Sequence, residues 1–230
     1  MSSPRGTPPD GRFIVLEGLD GSGTTTQLER LAEALRAEGH QVRVTREPSD
    51  GPIGAQIRLA LSGRLGLPNR RGPLTEDALA LLFAADRLDH LASVVEPALE
   101  RGEIVLCDRY LLSSLAYQGS ALPLEWVEEI NGRARAPDLT LFLEVDVATA
   151  ARRRAARGGE AELFEQDERQ ALIARQYGAA IRRRPRSERI VRIDGTQPLE
   201  AVTRAALGEI HGLLRSAGGS SAARGGGRRG

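Results

Sequence analysis

At 230 residues, with 40% apolar and 27% charged side chains, the chain has material for one sizeable hydrophobic core and the composition of a soluble globular protein. A single cysteine excludes a disulfide framework and a cysteine zinc cluster, and His40, His90 and His211 lack metal-ligand spacing. The formal net charge is +1, and setting aside Arg224, Arg228 and Arg229 leaves the body at about −2, which argues against a nucleic-acid-binding surface.

Residues 1–10 read as a flexible tail rich in proline, glycine and serine, without a basic-then-apolar leader. The longest central apolar run, from Ala78 to Ala85, is too short to span a bilayer, so the expected location is the cytoplasm, with no membrane partner. One domain is expected over 11–215. It opens with the run Phe13-Ile14-Val15-Leu16, a strand feeding Glu17-Gly18-Leu19-Asp20-Gly21-Ser22-Gly23-Thr24-Thr25-Thr26-Gln27. Strand, glycine-rich turn and alanine- and leucine-rich helix fit the Walker A spacing G-x-x-x-x-G-K-[ST], with Gly18 first, Gly23 sixth and Thr25 last. Residues 18–26, including Leu19, Gly21, Ser22, Thr24 and Thr26, are therefore the expected phosphate-binding segment, since amides at a helix N-terminus favour an anion. Thr25 sits where nucleotide-bound magnesium needs an oxygen ligand. Thr24 stands at the lysine position, so the loop keeps a hydroxyl but lacks its usual charge. A strand-to-helix turn without a ligand is the alternative at this point.

Leu28, Leu31 and Leu35 recur at helical spacing until Gly39, and Val42 and Val44 lead a strand into Thr45-Arg46-Glu47-Pro48. Ser49–Pro52 is a turn, Ile53–Ser62 a short helix, and 63–73 an arginine-bearing surface loop. Thr75 is the expected N-cap of a long helical region ending near Arg101-Gly102. The third strand, Glu103–Leu106, delivers Asp108-Arg109-Tyr110, and Cys107 reads as a buried, inert thiol. Helices are expected over Leu112–Gln118 and Pro123–Asn131, a fourth strand over Asp138–Val145 and an arginine-rich helix over Ala148–Arg157. Gly158-Gly159 breaks that helix before another at Glu160–Arg184, then a fifth strand at Arg189–Asp194 and a last helix at Leu199–Leu214. Residues 216–230, rich in glycine, serine and arginine, read as a disordered tail.

Strands separated by helices imply an α/β fold with a parallel sheet covered on both faces. Ligands then sit outside the carboxyl ends of the strands, which brings Asp20, Arg46, Asp108 and Arg109 around one crevice. Arginine forks bind phosphoryl oxygens, and Asp108 is the candidate for reaching magnesium. Asp20 either meets a sugar hydroxyl, helps place magnesium, or simply caps its turn. Phe83 and Arg87 share a helix face, suited to stacking on a base and bonding its edge, with plain core packing of Phe83 the alternative. The cluster around Arg153, Arg154 and Arg157 reads as a lid over 152–165 that supplies the charge missing at Thr24, or as a solvated basic helix.

Several stretches together give the chain a specific likeness. They are 11–23, Thr45-Arg46-Glu47-Pro48, Leu82-Phe83-Ala84-Ala85-Asp86-Arg87, Asp108-Arg109-Tyr110, Ala116-Tyr117-Gln118-Gly119 and 137–143. In these the chain resembles the bacterial thymidylate kinases over most of 11–214. The resemblance implies a P-loop nucleoside monophosphate kinase fold, a five-stranded parallel sheet with an arginine-bearing lid. It implies transfer of the γ-phosphate of ATP to dTMP with Mg2+, usually in a homodimer. By that likeness Arg46 and Arg109 handle acceptor phosphates, Phe83 stacks on thymine, Arg87 bonds its edge and Asp20 meets the 3'-hydroxyl. Tyr117 and Gln118 line the nucleoside pocket with Ser113 or Ser114 nearby, and some members of the family have a lid that supplies catalytic arginines, which suits the cluster at 152–157. Two departures stand out: Thr24 replaces the loop lysine, and Ser49-Asp50-Gly51 follows Pro48 where many members carry Gly-Gly-Thr. The alternatives are a non-catalytic nucleotide-binding regulator on the same fold and a kinase for a different monophosphate.

Overall fold

In the computed structural model, which describes residues 11–63, 74–156 and 163–222, strands and helices alternate along the chain. The first half comprises β1 (Arg12–Gly18), α1 (Thr24–Ala37), β2 (Val42–Arg46), α2 (Pro52–Leu61), α3 (Glu76–His90), α4 (Glu96–Glu100) and β3 (Ile104–Asp108). The second comprises α5 (Leu111–Tyr117), α6 (Leu124–Ile130), β4 (Leu139–Glu144), α7 (Val147–Ala155), α8 (Leu163–Arg183), β5 (Ile190–Asp194) and α9 (Leu199–Ala222).

All five strands pair in parallel, in the order β2-β3-β1-β4-β5. Successive side chains of β1 point to opposite faces, and each face meets its own core. Phe13 and Val15 join Val105, Cys107 and Phe142 beneath α4, α5 and α8, whereas Ile14 and Leu16 join Leu106, Leu141 and Leu143 beneath α1 and α9. A strand covered on both sides reads as a continuous apolar run, which explains the composition of 13–16. The interruption is Glu17, fully buried on the first face.

The expected long helix from Thr75 is one rod broken by a π-helical turn, Leu91–Val95, between α3 and α4, and Thr75 Oγ1 accepts the Ala78 amide at its start. Such turns are single wide insertions in an otherwise α-helical ladder. Gly39, with φ of +91°, closes α1. The last helix does not stop at Leu214 but runs to Ala222, into the segment expected to be disordered. Extending a packed helix adds one hydrogen bond per residue without a new nucleation cost. The expected tail at 1–10, residues 223–230 of the tail expected at 216–230, residues 64–73 of the loop expected at 63–73 and the hinge at Gly158-Gly159 lie outside the described residues. Among the described residues no helix is long and apolar enough to cross a membrane.

Candidate active site

Parallel pairing puts the carboxyl ends of all strands on one edge of the sheet, and register places Leu16 beside Asp108 and Arg46 on its far side. The turn from β1 into α1 thus sits next to the segment leaving β3. Within the turn, Gly21 has φ of +91°, and a Cβ there would lie 2.5 Å from the Ala150 carbonyl oxygen of α7. Both the left-handed backbone and the packing of α7 on the turn require glycine. Gly23, at φ of +97°, precedes the first turn of α1, whose leading amides have no partner inside the helix.

Among the described residues, three guanidinium groups converge on alternate carbonyls of this loop. Arg109 Nη1 donates to the Gly18 oxygen at 3.2 Å, Arg154 Nη1 to the Asp20 oxygen at 2.7 Å, and Arg153 Nη1 to the Ser22 oxygen at 3.2 Å. Arg153 also donates to the Gly195 oxygen at 2.8 Å. Thr24, in the lysine position, is buried and brings no charge. Arg157 lies outside the described residues.

Asp20 is drawn into the site and does more than cap its turn. Its carboxylate accepts from Arg109 Nη2 at 2.7 Å and from Gln170 Nε2 at 3.2 Å. Arg109 itself has φ of +69°, a costly conformation for a long side chain. Glu17 holds the following segment in place: its carboxylate accepts the Tyr110 amide at 2.9 Å, the Ser113 amide at 3.1 Å, the Ser113 hydroxyl at 2.6 Å and the Tyr177 hydroxyl at 3.1 Å. Burial pushes the Glu17 carboxyl above its ordinary value, with the Ser113 hydrogen bond and the Arg109 charge pulling the other way. Glu17, Tyr177 and Gln170 escape a reading by motif. For Glu17 the signal exists, because an acid inside an apolar strand is tolerated only when it is well hydrogen-bonded.

Across the loop from Asp20, Thr25 Oγ1 donates to Asp108 Oδ2 at 2.5 Å, while Asp108 Oδ1 is buried without a hydrogen-bond partner. Two hard oxygen groups beside a phosphate-sized loop, one with unused acceptor capacity, fit magnesium, which takes few protein ligands and fills the rest with phosphates and water. Among the described residues there is no cluster of three acidic, histidine or cysteine ligands that would form an all-protein metal cage.

Two cavities flank the loop. The larger, about 460 Å³, runs from Asp20 and Arg109 past Tyr117 and Gln118 to Phe83 and Arg87, with Arg154 and Gln170 at its loop end. Phe83 stands half-buried on this wall, so the reading of it as plain core packing does not hold. Arg87 is buried, donating to Glu47 Oε2 at 2.7 Å, the Tyr110 oxygen at 3.1 Å and Ser114 Oγ at 3.0 Å, and to Asn131 Oδ1. Its Nε has no hydrogen-bond partner, and neither have Gln118 Oε1 and Gln170 Oε1. The Tyr117 hydroxyl faces Asp20 and Arg109 without completing a hydrogen bond, and burial pushes it up to about 12. The smaller cavity, about 240 Å³, lies on the other side of the loop between Ser22, Gln27, Arg153 and Gln197. Arg46 joins neither: its side chain is 61% exposed and pairs with Asp50 at 2.8 Å.

Residues 16–206 match the family described as thymidylate kinase. The chain belongs to the thymidylate kinase family. It is 44% identical over 200 residues to the thymidylate kinase of Alkalilimnicola ehrlichii, covering 84% of this chain and 88% of that one. With the thymidylate kinase of Gluconobacter oxydans it shares 41% identity over 214 residues, 89% of this chain and 96% of the other. The family match begins at the last apolar residue of β1 and ends in α9, so it takes in the loop, both cavities and every site residue described above.

Proposed function

We propose that this chain is an ATP-dependent thymidylate kinase, transferring the γ-phosphate of ATP to dTMP to give dTDP and ADP. The observation that carries the reading is the pattern of unsatisfied groups on the wall of the larger cavity. Arg87 Nε is a buried donor and Gln118 Oε1 a buried acceptor, one turn of α5 beyond Ser114, which itself bonds Arg87. The edge of thymine offers the complement, a carbonyl at position 4 and an N–H at position 3, with Phe83 beside them for the ring face. Cytosine offers an amine and a bare nitrogen there, which leaves both protein groups unpaired.

With the base at Phe83, the acceptor phosphate falls at Arg109 and Arg154. The loop amides and the start of α1 then take the donor's polyphosphate, and its nucleoside enters the smaller cavity beside Arg153. That assigns Arg153 to the donor nucleoside rather than to the transferred group. Arg46, turned outward to Asp50, reaches the acceptor only after leaving that partner. Thr25 and Asp108 would hold magnesium, which when bound neutralises charge on the phosphates. The residues' own work is to align donor and acceptor along the loop and to surround the transferred group with fixed positive charge.

The test is ADP release by purified protein with ATP, magnesium and a panel of monophosphates. Turnover is expected with dTMP and, more weakly, dUMP, with kcat/KM for dCMP lower by about 100-fold or more because both buried groups are orphaned. Nucleotide binding without turnover for any monophosphate would favour the regulator instead.

We further read the enzyme as a cytoplasmic homodimer. Leu81, Ala85, Leu88 and Ala92 form an exposed apolar stripe with spacings of four, three and four residues along α3 and the turn after it. A seam of that period suits the same helix of a second copy. Leu88→Asp is expected to halve the mass seen by light scattering while leaving far-ultraviolet circular dichroism unchanged.

A further inference from the structure

Resting on the acceptor reading above, we propose that Asp50 is a tether that competes with the acceptor's phosphate for Arg46 and so sets how tightly the monophosphate binds. Arg46 ends β2 in register with Asp108, and the next two residues, Glu47 and Pro48, are on the wall of the larger cavity. The strand therefore delivers a guanidinium to the rim of the acceptor site. Its hydrogen bond runs the other way, from Nη2 to Asp50 Oδ1 at 2.8 Å, and among the described residues no other hydrogen bond holds it. Asp50 stands in the Ser49-Asp50-Gly51 segment, where the chain departs from the Gly-Gly-Thr of many family members, so the tether is a feature of this sequence.

Asp50 is exposed, yet the turn that carries it is fixed. Ser49 is buried and bonded to Asp86 through its amide, at 2.7 Å, and through its hydroxyl, at 2.6 Å. Arg58 of α2 donates to the Pro48 and Ser49 oxygens, and the Gly51 amide donates to Ser49 Oγ at 3.0 Å. The carboxylate is thus held in place, and the half-free Arg46 side chain does the moving. The Arg46 hydrogen bond holds the Asp50 carboxyl below its ordinary value, so at neutral pH it carries a full negative charge. A dianionic phosphate offers Arg46 more charge and a fork of oxygens in exchange for one carboxylate oxygen. What the acceptor gains is only the difference between the two contacts. An exposed pair of this kind is worth a factor of about two to five in an equilibrium constant, and the acceptor's affinity is lowered by that factor.

The experiment measures dTMP binding by calorimetry in wild type, Asp50→Asn, Arg46→Ala and the double variant. Asp50→Asn is expected to tighten dTMP by about two- to fivefold. In the Arg46→Ala background the same change should move the affinity by less than about 1.5-fold, because no arginine is left to release. Thymidine, which lacks the phosphate, should bind wild type and Asp50→Asn equally. An equal gain in both backgrounds would show that Asp50 only repels the phosphate, and no gain in either would show that Arg46 is not held back; each result overturns the tether. Should Asp50→Asn fold poorly, Asp50→Gly carries the same cycle. Wild type that does not bind dTMP at all counts instead against the acceptor reading on which the proposal rests.

Discussion

Arg154→Ala is expected to lower kcat for dTMP phosphorylation by about two to three orders of magnitude, the usual cost of removing a fixed charge from a phosphoryl-transfer site. Thr24 leaves the loop without its ammonium, and the cations around it are Arg109, Arg153 and Arg154, each bonded to a loop carbonyl. Arg109 is matched by Asp20, and Arg153 is anchored to Gly195 at the other cavity. Arg154 combines a contact with the loop and a place on the wall of the larger cavity, which sets it beside Arg109 to stabilise charge in the proposed transfer between donor and acceptor. Two companions sharpen the expectation. Thr24→Lys alone should change kcat by less than about tenfold, because the charge is already supplied. In the Arg154→Ala background the same lysine should recover at least about tenfold, since the two cations then substitute for one another. Steady-state ADP release for the four proteins measures all of this. Thr24→Lys raising the wild-type rate by orders of magnitude would show that the arginines do not compensate.

Glu47→Leu is expected to destabilise the fold by about 3–5 kcal/mol, because removing one partner of a buried ion pair strands the other. Glu47 and Arg87 side chains are 2% and 1% exposed, 2.7 Å apart, and His90 Nδ1 lies 3.3 Å from the other carboxylate oxygen. The leucine leaves a guanidinium in the core with no counter-charge. A fall in Tm on the order of 10 °C follows for a chain of this size, read by calorimetry. Because Arg87 is also the proposed base-edge donor, KM for dTMP should rise in the same variant, while KM for ATP stays near its wild-type value.

The strands and helices were legible because their periodicities are local. Phe13 to Leu16, buried on both faces, and the leucines of α1 announce themselves without any long-range knowledge. The order β2-β3-β1-β4-β5 was not, since it depends on which sheet edge each connection packs against. Phe83 and Arg87 were placed correctly on one helix face by their spacing. The partners that bury Arg87, Glu47 and Asn131, come from distant segments that no spacing links to it. Arg46 shows the reverse. Its position at a strand end pointed to the crevice, but β2 is the edge strand, and there the side chain turns to solvent and to Asp50. Neighbouring arginines on a helix point about 100° apart, so Arg153 and Arg154 face opposite sides of the loop, a division that composition cannot express. Gln170 and Tyr177 become site residues only when α8 closes over β1.

The thiol of Cys107 is fully buried in β3, and burial pushes it well above its ordinary range. An alkylating reagent therefore finds nothing to modify until the central sheet opens. The rate at which iodoacetamide labels this protein then reports global unfolding directly, through the chain's only cysteine. Glu47→Leu and similar variants can be ranked by that clock in buffer, without heat, denaturant or an introduced probe.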